Sequence, residues 1–299
     1  MMGETHVPAP NRARKTTAKT ADTIATAVLW ALALACLAVL GALIGYILVK
    51  GLAIVFDAKF ILGKPQAINA GGGILPFLLS SIYLTLLTMV IIMPIGVGAA
   101  IYMGEFAGES RITRLVRFGA DSLATVPSIV FGLFGLALFV VAFGMGPCLM
   151  AGALTLTLLN LPAVMRTSEE ALRAVPDSFR EASYGLGASR WQTIRKVVLP
   201  SAVPGITTGG ILTIGRILGE SAALVFTMPL FATKAPTSLF SGGAAIAPNL
   251  WYTLTEAITT DAQRIARGEA AALVILILAL NLLARFLARR YQKRQGMVG

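Results

Sequence analysis

Six apolar stretches constrain the fold of this 299-residue chain more than any other feature. Their approximate bounds are residues 24–49, 75–103, 119–143, 148–166, 205–228 and 268–287. A helix of about 20 mainly apolar residues crosses the hydrocarbon core of a bilayer, and each stretch is close to that length. A helix also satisfies its backbone hydrogen bonds internally, which hydrocarbon requires. The sequence therefore predicts an all-α polytopic membrane protein with six transmembrane helices between residues 24 and 291.

Composition excludes several other classes of protein. Hydrophobic residues make up 56% of the chain and charged residues 13%, which lies outside the range of soluble domains. The net charge of +11 does not indicate a nucleic-acid partner, because the basic residues flank the apolar stretches and do not form one face. His6, Cys36 and Cys148 lie far apart, so no metal-ligand spacing and no disulfide framework is indicated.

The distribution of Lys and Arg predicts the orientation. With the N-terminus inside, 18 of the 25 basic residues fall on the inner side, six fall on the outer side, and Arg216 lies within a span. Cytoplasmic loops carry the excess of Lys and Arg. Residues 1–22 and 292–299 are therefore predicted to be cytoplasmic tails, residues 167–197 a cytoplasmic loop, and residues 229–267 an external loop.

The polar segment from Ser178 to Pro200 interrupts the apolar pattern between the fourth and fifth spans. Ser178 and Ser189 are each followed three residues later by a Glu or Gln, the pattern of a capping box at a helix start. Gly185 and Gly187 lie between these starts and allow a tight turn. The segment is predicted to form two short helices joined by a glycine turn, with Pro200 ending the second helix.

This segment resembles the loop motif in the membrane subunits of ATP-driven importers: Glu-Ala-Ala, three residues, Gly, nine residues, Ile-x-Leu-Pro. The matching residues are Glu181, Ala182, Gly187, Leu199 and Pro200. Ser183 replaces the second Ala of the motif and Val197 replaces the Ile.

The flanking sequences resemble the A-type permease subunit of phosphate importers over roughly residues 75–291. They are Val126-Pro-Ser-Ile-Val-Phe-Gly-Leu-Phe-Gly-Leu, Asn160-Leu-Pro-Ala-Val-Met-Arg and Leu218-Gly-Glu-Ser-Ala-Ala-Leu-Val-Phe-Thr. The resemblance implies a type I importer permease that translocates inorganic phosphate across the bacterial inner (plasma) membrane.

The same resemblance implies a set of partners. These are a homologous permease in a heterodimer, a cytoplasmic ATPase dimer, and an external phosphate-binding protein. The chain contains no Gly-x-x-x-x-Gly-Lys-Ser/Thr loop for cradling ATP. We therefore expect that this chain is not an enzyme and binds no cofactor, and that ATP and Mg²⁺ are held by the ATPase subunits.

The loop residues allow two interpretations. Glu181 either closes a capping box with Ser178 or contacts a basic residue of the ATPase. Four large side chains add apolar surface, which either docks into a cleft of the ATPase or packs against the chain's own spans, the latter especially for Trp191. They are Phe179, Tyr184, Leu186 and Trp191.

Arg216 and Glu220 are the candidate substrate-path residues. They are four residues apart in the fifth span, which places them about 6 Å apart along a helix axis. An arginine at mid-depth costs about 2.5–3.5 kcal/mol on insertion scales, so it needs a partner or water. The pair is either a structural ion pair or, as the resemblance implies, a cationic waypoint for an anion whose field Glu220 tempers. Two pairs of glycines, 205 with 209 and 215 with 219, favour close helix packing on the same span.

Three rival functions follow from the same residues. The nearest is a permease for another oxyanion, such as molybdate or sulfate. An ion-coupled secondary transporter commonly has inverted repeats and intramembrane acids, whereas here only Glu220 is expected to be a well-buried acid. A catalytic membrane enzyme would need a histidine, metal or nucleophile cluster, and the sequence offers none.

Overall fold

The computed structural model describes residues 12–66, 70, 72–108 and 110–294, and within them the chain is helical without β-strands. Residues 1–11 of the predicted N-terminal tail and the last five residues lie outside the described residues. The helices are α1 (Arg12–Val55), α2 (Ala58–Leu62), α3 (Leu75–Ile101), α4 (Arg111–Ala124), α5 (Ser128–Gly135), α6 (Leu149–Arg173), α7 (Asp177–Gly185), α8 (Arg190–Thr193), α9 (Leu199–Gly219), α10 (Ile246–Thr255) and α11 (Ala262–Arg294). Single π-helical segments continue α3 at Tyr102–Phe106, α5 at Leu136–Ala142 and α8 at Ile194–Val198.

The all-helical transmembrane class is confirmed. Five helical segments are long and apolar enough to cross a membrane, and α4 with α5 can form a sixth, broken span. The five are Asp22–Val55, Leu75–Phe106, Leu149–Arg173, Arg190–Gly219 and Ala262–Arg290.

The third apolar stretch is not one straight helix. The segments Arg111–Ala124 and Ser128–Ala142 meet at an angle of 102°. Pro127 lies at the break, where it cannot donate a backbone hydrogen bond and where it restricts the residue before it. Asp121 lies inside α4 and pairs with Arg166 of α6 at 2.9 Å.

The chain divides into two compact units, residues 1–49 and residues 50–299. In the first unit, none of residues 22–49 is buried. In the second unit, α6 packs against both α3 and α9. A Cβ atom on Gly205 would lie 2.7 Å from Ala171 Cβ, and one on Gly209 would lie 2.6 Å from Thr167 Oγ1. The first glycine pair therefore brings α9 and α6 into close contact, as the packing interpretation predicts.

The fifth span differs from the predicted range 205–228 at both ends. Helical structure begins at Arg190 and continues to Gly219. Pro200 does not end the helix. It directly follows the π-helical segment Ile194–Val198, and the continuous helix passes through it. Local π-helical adjustment re-satisfies backbone groups that a proline inside a helix frees.

Residues 220–245 are irregular, and the first part of this segment is deeply buried. Ala223 and Thr227 are fully buried, and Leu224 is nearly so. Glycines of the neighbouring helices make room for it: a Cβ atom on Gly132 would lie 2.9 Å from the Ala223 carbonyl oxygen, and one on Gly152 would lie 2.6 Å from Met228 Sδ. The irregular backbone is thus enclosed by α5 and α6.

Candidate functional site

The segment between the fourth and fifth spans folds as a helical hairpin, which we call the 177–198 hairpin. Gly187 turns the chain between α7 and α8 with a φ of +79°, a conformation that residues other than glycine rarely adopt. Ser189 caps α8: its Oγ accepts from the Gln192 N–H at 3.4 Å, and Gln192 Oε1 accepts from the Ser189 N–H at 2.8 Å. The second predicted capping box is confirmed.

The first predicted capping box does not form. The residue that precedes α7 is Pro176, which makes no side-chain capping bond, and Ser178 lies inside the helix. Glu181 therefore does not take part in a capping box. Its side chain and that of Ala182 are exposed.

The apolar side chains of the hairpin face outward. Leu186 is 90% exposed, and Phe179, Tyr184 and Trp191 are between 43% and 56% exposed. Packing of Trp191 against the chain's own spans is thus not observed. Leu199 and Pro200 are half-buried at the start of α9 and do not join this exposed surface. The hairpin presents an apolar face that its own chain leaves uncovered.

Ser183, the departure from the second Ala of the loop motif, is buried. Its hydroxyl group lies 2.9 Å from the hydroxyl group of Thr193, which is also buried. This hydrogen bond joins α7 to α8 across the Gly187 turn. The serine is therefore accommodated by a specific partner in the same hairpin.

Sequence reasoning missed the contacts that fix the hairpin to the spans. Arg180 forms an ion pair with Glu105 at 2.8 Å and donates to the carbonyl oxygens of Leu172 and Val175. The hydrogen bond to Glu105 raises the pKa of Arg180 above its usual value. A charged pair 75 positions apart in the chain leaves no local pattern to detect.

The structure does not pair Arg216 with Glu220. Arg216 is exposed in the last turn of α9, and Glu220 is half-buried just after the helix ends. Glu220 Oε1 accepts a hydrogen bond from the Ala223 N–H at 3.2 Å. Among the described residues, no carboxylate forms an ion pair with Arg216. Arg216 lies in the last turn of α9 and not at the middle of the helix, because the helix ends at Gly219.

Three other arginines surround a cavity of about 450 Å³ between α4 and α6, and carboxylates neutralise each of them. Glu169 contacts Arg117 at 2.7 Å and Arg173 at 2.8 Å. Asp121 contacts Arg166 at 2.9 Å. The positive charges of this cavity are compensated within the chain, whereas that of Arg216 is not.

Among the described residues, the best-buried acid is Glu269, not Glu220. Glu269 lies in α11, its residue exposure is 0%, and neither carboxyl oxygen has a hydrogen-bond partner of good geometry among the described residues. It faces a small cavity that Thr253 and Asn249 of α10 also line. In the sequence, the only indication of this buried acid is a single Glu within an apolar run.

Residues 92–296 match the family described as "binding-protein-dependent transport system inner membrane component". The chain belongs to this family. It is therefore a multi-pass inner-membrane permease subunit of an ABC importer.

Bacterial relatives extend the match. The chain is 40% identical over 288 residues to the probable ABC transporter permease protein YqgI of Bacillus subtilis, covering 92% of this chain and 98% of YqgI. It is 38% identical over 226 residues to the phosphate transport system permease protein PstA 1 of Mycobacterium tuberculosis, covering 74% and 72% of the two chains. PstA of Yersinia pestis is 36% identical over 228 residues, with 76% of each chain covered.

Solved structures share the fold. A chain of the MetNI methionine ABC transporter, in an inward-facing conformation, matches with a TM-score of 0.54 and 23% identity, covering 74% of this chain and 94% of that one. A chain of a bacterial alginate ABC transporter, in complex with an alginate-bound periplasmic protein, matches with a TM-score of 0.56 and 14% identity, covering 96% and 98%. These similarities confirm the type I importer permease fold.

The positive φ at Gly187 generates a test of the hairpin. We expect Gly187→Val to destabilise the turn by at least about 1–2 kcal/mol, because a β-branched residue is strained at this φ. Amide hydrogen exchange over residues 177–198 should accelerate. Gly185→Val is the matched control, because Gly185 has no positive φ and a Cβ atom there would meet no neighbouring atom within 4 Å. Equal exchange rates in the two variants would contradict the strained turn.

Proposed function

We propose that this permease subunit carries inorganic phosphate into the cytoplasm. The observation that carries the proposal is the identity of 36–38% to PstA phosphate permeases over about three quarters of the chain. The methionine and alginate transporters match at 14–23% identity and support the fold alone.

The unpaired guanidinium group of Arg216 supplies a chemical basis for anion passage. A guanidinium group donates two parallel hydrogen bonds to a tetrahedral oxyanion, and it stays charged at all physiological pH values. Glu220 accepts a hydrogen bond from the Ala223 N–H, and among the described residues it forms no ion pair with Arg216. The carboxyl group of Glu220, four residues further along the chain, limits how tightly an anion is held.

The partners follow from the same proposal. A homologous permease forms a heterodimer with this chain, a cytoplasmic ATPase dimer binds ATP and Mg²⁺, and an external phosphate-binding protein delivers the substrate. The exposed face of the 177–198 hairpin, with Glu181, Tyr184 and Leu186, docks into the ATPase. Closure of the ATPase dimer moves the hairpin and drives alternating access of the spans.

The charge of Arg216 can be tested in the assembled importer. We expect Arg216→Gln to lower phosphate uptake by about 10- to 100-fold, the equivalent of losing a charged hydrogen bond of about 1.5–3 kcal/mol. Because Arg216 has no ion-pair partner among the described residues, the variant leaves no stranded carboxylate, and assembly should persist. Initial rates of labelled phosphate uptake in vesicles, at equal subunit abundance, measure the effect.

Two further variants sharpen this test. Arg267→Gln removes another exposed arginine, from α11, and should leave uptake unchanged. Arg216→Gln/Glu220→Gln should transport as poorly as Arg216→Gln alone, since a scaffold pair would instead recover when both charges are absent. Uptake near the wild-type rate in the double variant would rule out the waypoint. Competition by sulfate or molybdate stronger than that by phosphate would reassign the substrate to another oxyanion.

The proposed orientation places the 177–198 hairpin inside and the segment after α9 outside. After Cys36→Ser removes an exposed thiol, a cysteine at Ser238 should react with an impermeant maleimide from outside, and one at Ser178 should not. Both positions are exposed, so a difference in labelling reports the side of the membrane. Permeabilised cells, in which both should react, provide the control. The reverse pattern in intact cells would invert the topology.

A further inference from the structure

We propose that Arg180 and Glu105 form the joint that makes the 177–198 hairpin and the end of the α3 span move as one body. The inference rests on the proposed function, because it assigns the route by which ATPase movement reaches the spans. Arg180 and Glu105 are positioning residues, and neither is proposed to touch the substrate.

The ion pair is enclosed and joins three parts of the fold. The side chain of Arg180 is 15% exposed and that of Glu105 is 9% exposed. Arg180 lies in α7, and Glu105 lies in the π-helical segment that continues α3. The same guanidinium group donates to the carbonyl oxygens of Leu172, at 3.0 Å, and Val175, at 2.7 Å, at the end of α6.

A second arginine holds the same end of α3 from the other arm of the hairpin. Arg190, the first residue of α8, donates to the backbone carbonyl oxygen of Glu105. Its guanidinium carbon also lies 5.2 Å from the centre of the Phe106 ring, within the range of a cation–π contact. Each helix of the hairpin thus supplies one arginine that contacts the Glu105–Phe106 end of α3.

The hairpin is braced internally as well. The buried hydrogen bond between Ser183 and Thr193 joins its two helices at 2.9 Å. A displacement applied to α7 therefore reaches α8 directly, and both helices transmit it to the Glu105–Phe106 end of α3. Ala100 of α3, Leu172 of α6 and Val198 of the hairpin belong to one buried apolar cluster.

One neighbouring contact offers a matched control. Asp177 also touches Arg180, at 3.1 Å, but its side chain is 87% exposed. A solvated carboxylate contributes little to holding a guanidinium group, whereas removal of an enclosed partner leaves a poorly solvated charge. Loss of Asp177 should therefore be tolerated, and loss of Glu105 should not.

The joint is tested on the complete importer in lipid nanodiscs with spin labels at positions 95 and 178, both exposed and lying on α3 and α7. Pulsed electron–electron resonance then measures their separation without nucleotide and with ATP. We expect one narrow distribution with the same mean in both states. In Glu105→Ala the distribution should broaden while the ATPase still co-purifies, and Asp177→Ala should resemble the wild type.

A purely stabilising role of the Arg180–Glu105 ion pair predicts different results. If the pair only stabilises the subunit, Glu105→Ala should lose membrane abundance and ATPase association, and the distribution in the surviving complex should stay narrow. That result, or a change in the wild-type mean distance on ATP binding, would overturn the joint. If Glu105→Ala does not assemble, Glu105→Gln and Arg180→Lys carry the test, because both retain a hydrogen-bonding group and should broaden the distribution to a smaller extent.

A hydrolysis assay separates this inference from the substrate assignment. Addition of the phosphate-loaded binding protein should stimulate ATP hydrolysis by the wild type and by Asp177→Ala, and the stimulation should be lost in Glu105→Ala. Absence of stimulation in the wild type would refute phosphate as the substrate. The distance measurement does not depend on substrate, so it would still decide the joint.

Discussion

Backbone polar groups in hydrocarbon must find their partners within the protein, and most of this architecture follows from that constraint. Helices meet it along the apolar stretches. The irregular segment after Gly219 meets it differently, because Ala223, Leu224 and Thr227 are enclosed by neighbouring helices. The glycines at positions 132 and 152 allow that enclosure, since a side chain at either would collide with the segment. The non-helical backbone at residues 223, 224 and 227 is thus surrounded by protein.

The sequence predicted the features that depend on local composition. Apolar length predicts the helical spans, and the Ser189–Gln192 pattern predicts the start of α8. The sequence did not predict correctly where prolines break a helix and where a helix continues through them. Pro127 lies at the break of a predicted single helix, whereas Pro200 lies inside a continuous one, directly after a π-helical segment.

Long-range electrostatics lay beyond sequence reasoning for a different reason. Neither Arg180 nor Glu105 stands out in the sequence, and only the folded chain brings them together with the end of α6. The same holds for Arg216, whose predicted partner at Glu220 instead caps the following turn through the Ala223 N–H. Helical spacing indicates which residues can meet, but the end of the helix at Gly219 decides that these two do not.

We propose separate tasks for two regions of one subunit: the 177–198 hairpin receives force from the ATPase, and the region around Arg216 meets an anion. The most direct test is phosphate uptake by the complete importer in sealed vesicles, with the binding protein outside and ATP inside. The account predicts uptake that requires both components and persists when ionophores collapse all ion gradients. Uptake that follows an ion gradient without ATP, or an ATP-driven importer that ignores phosphate, would contradict it.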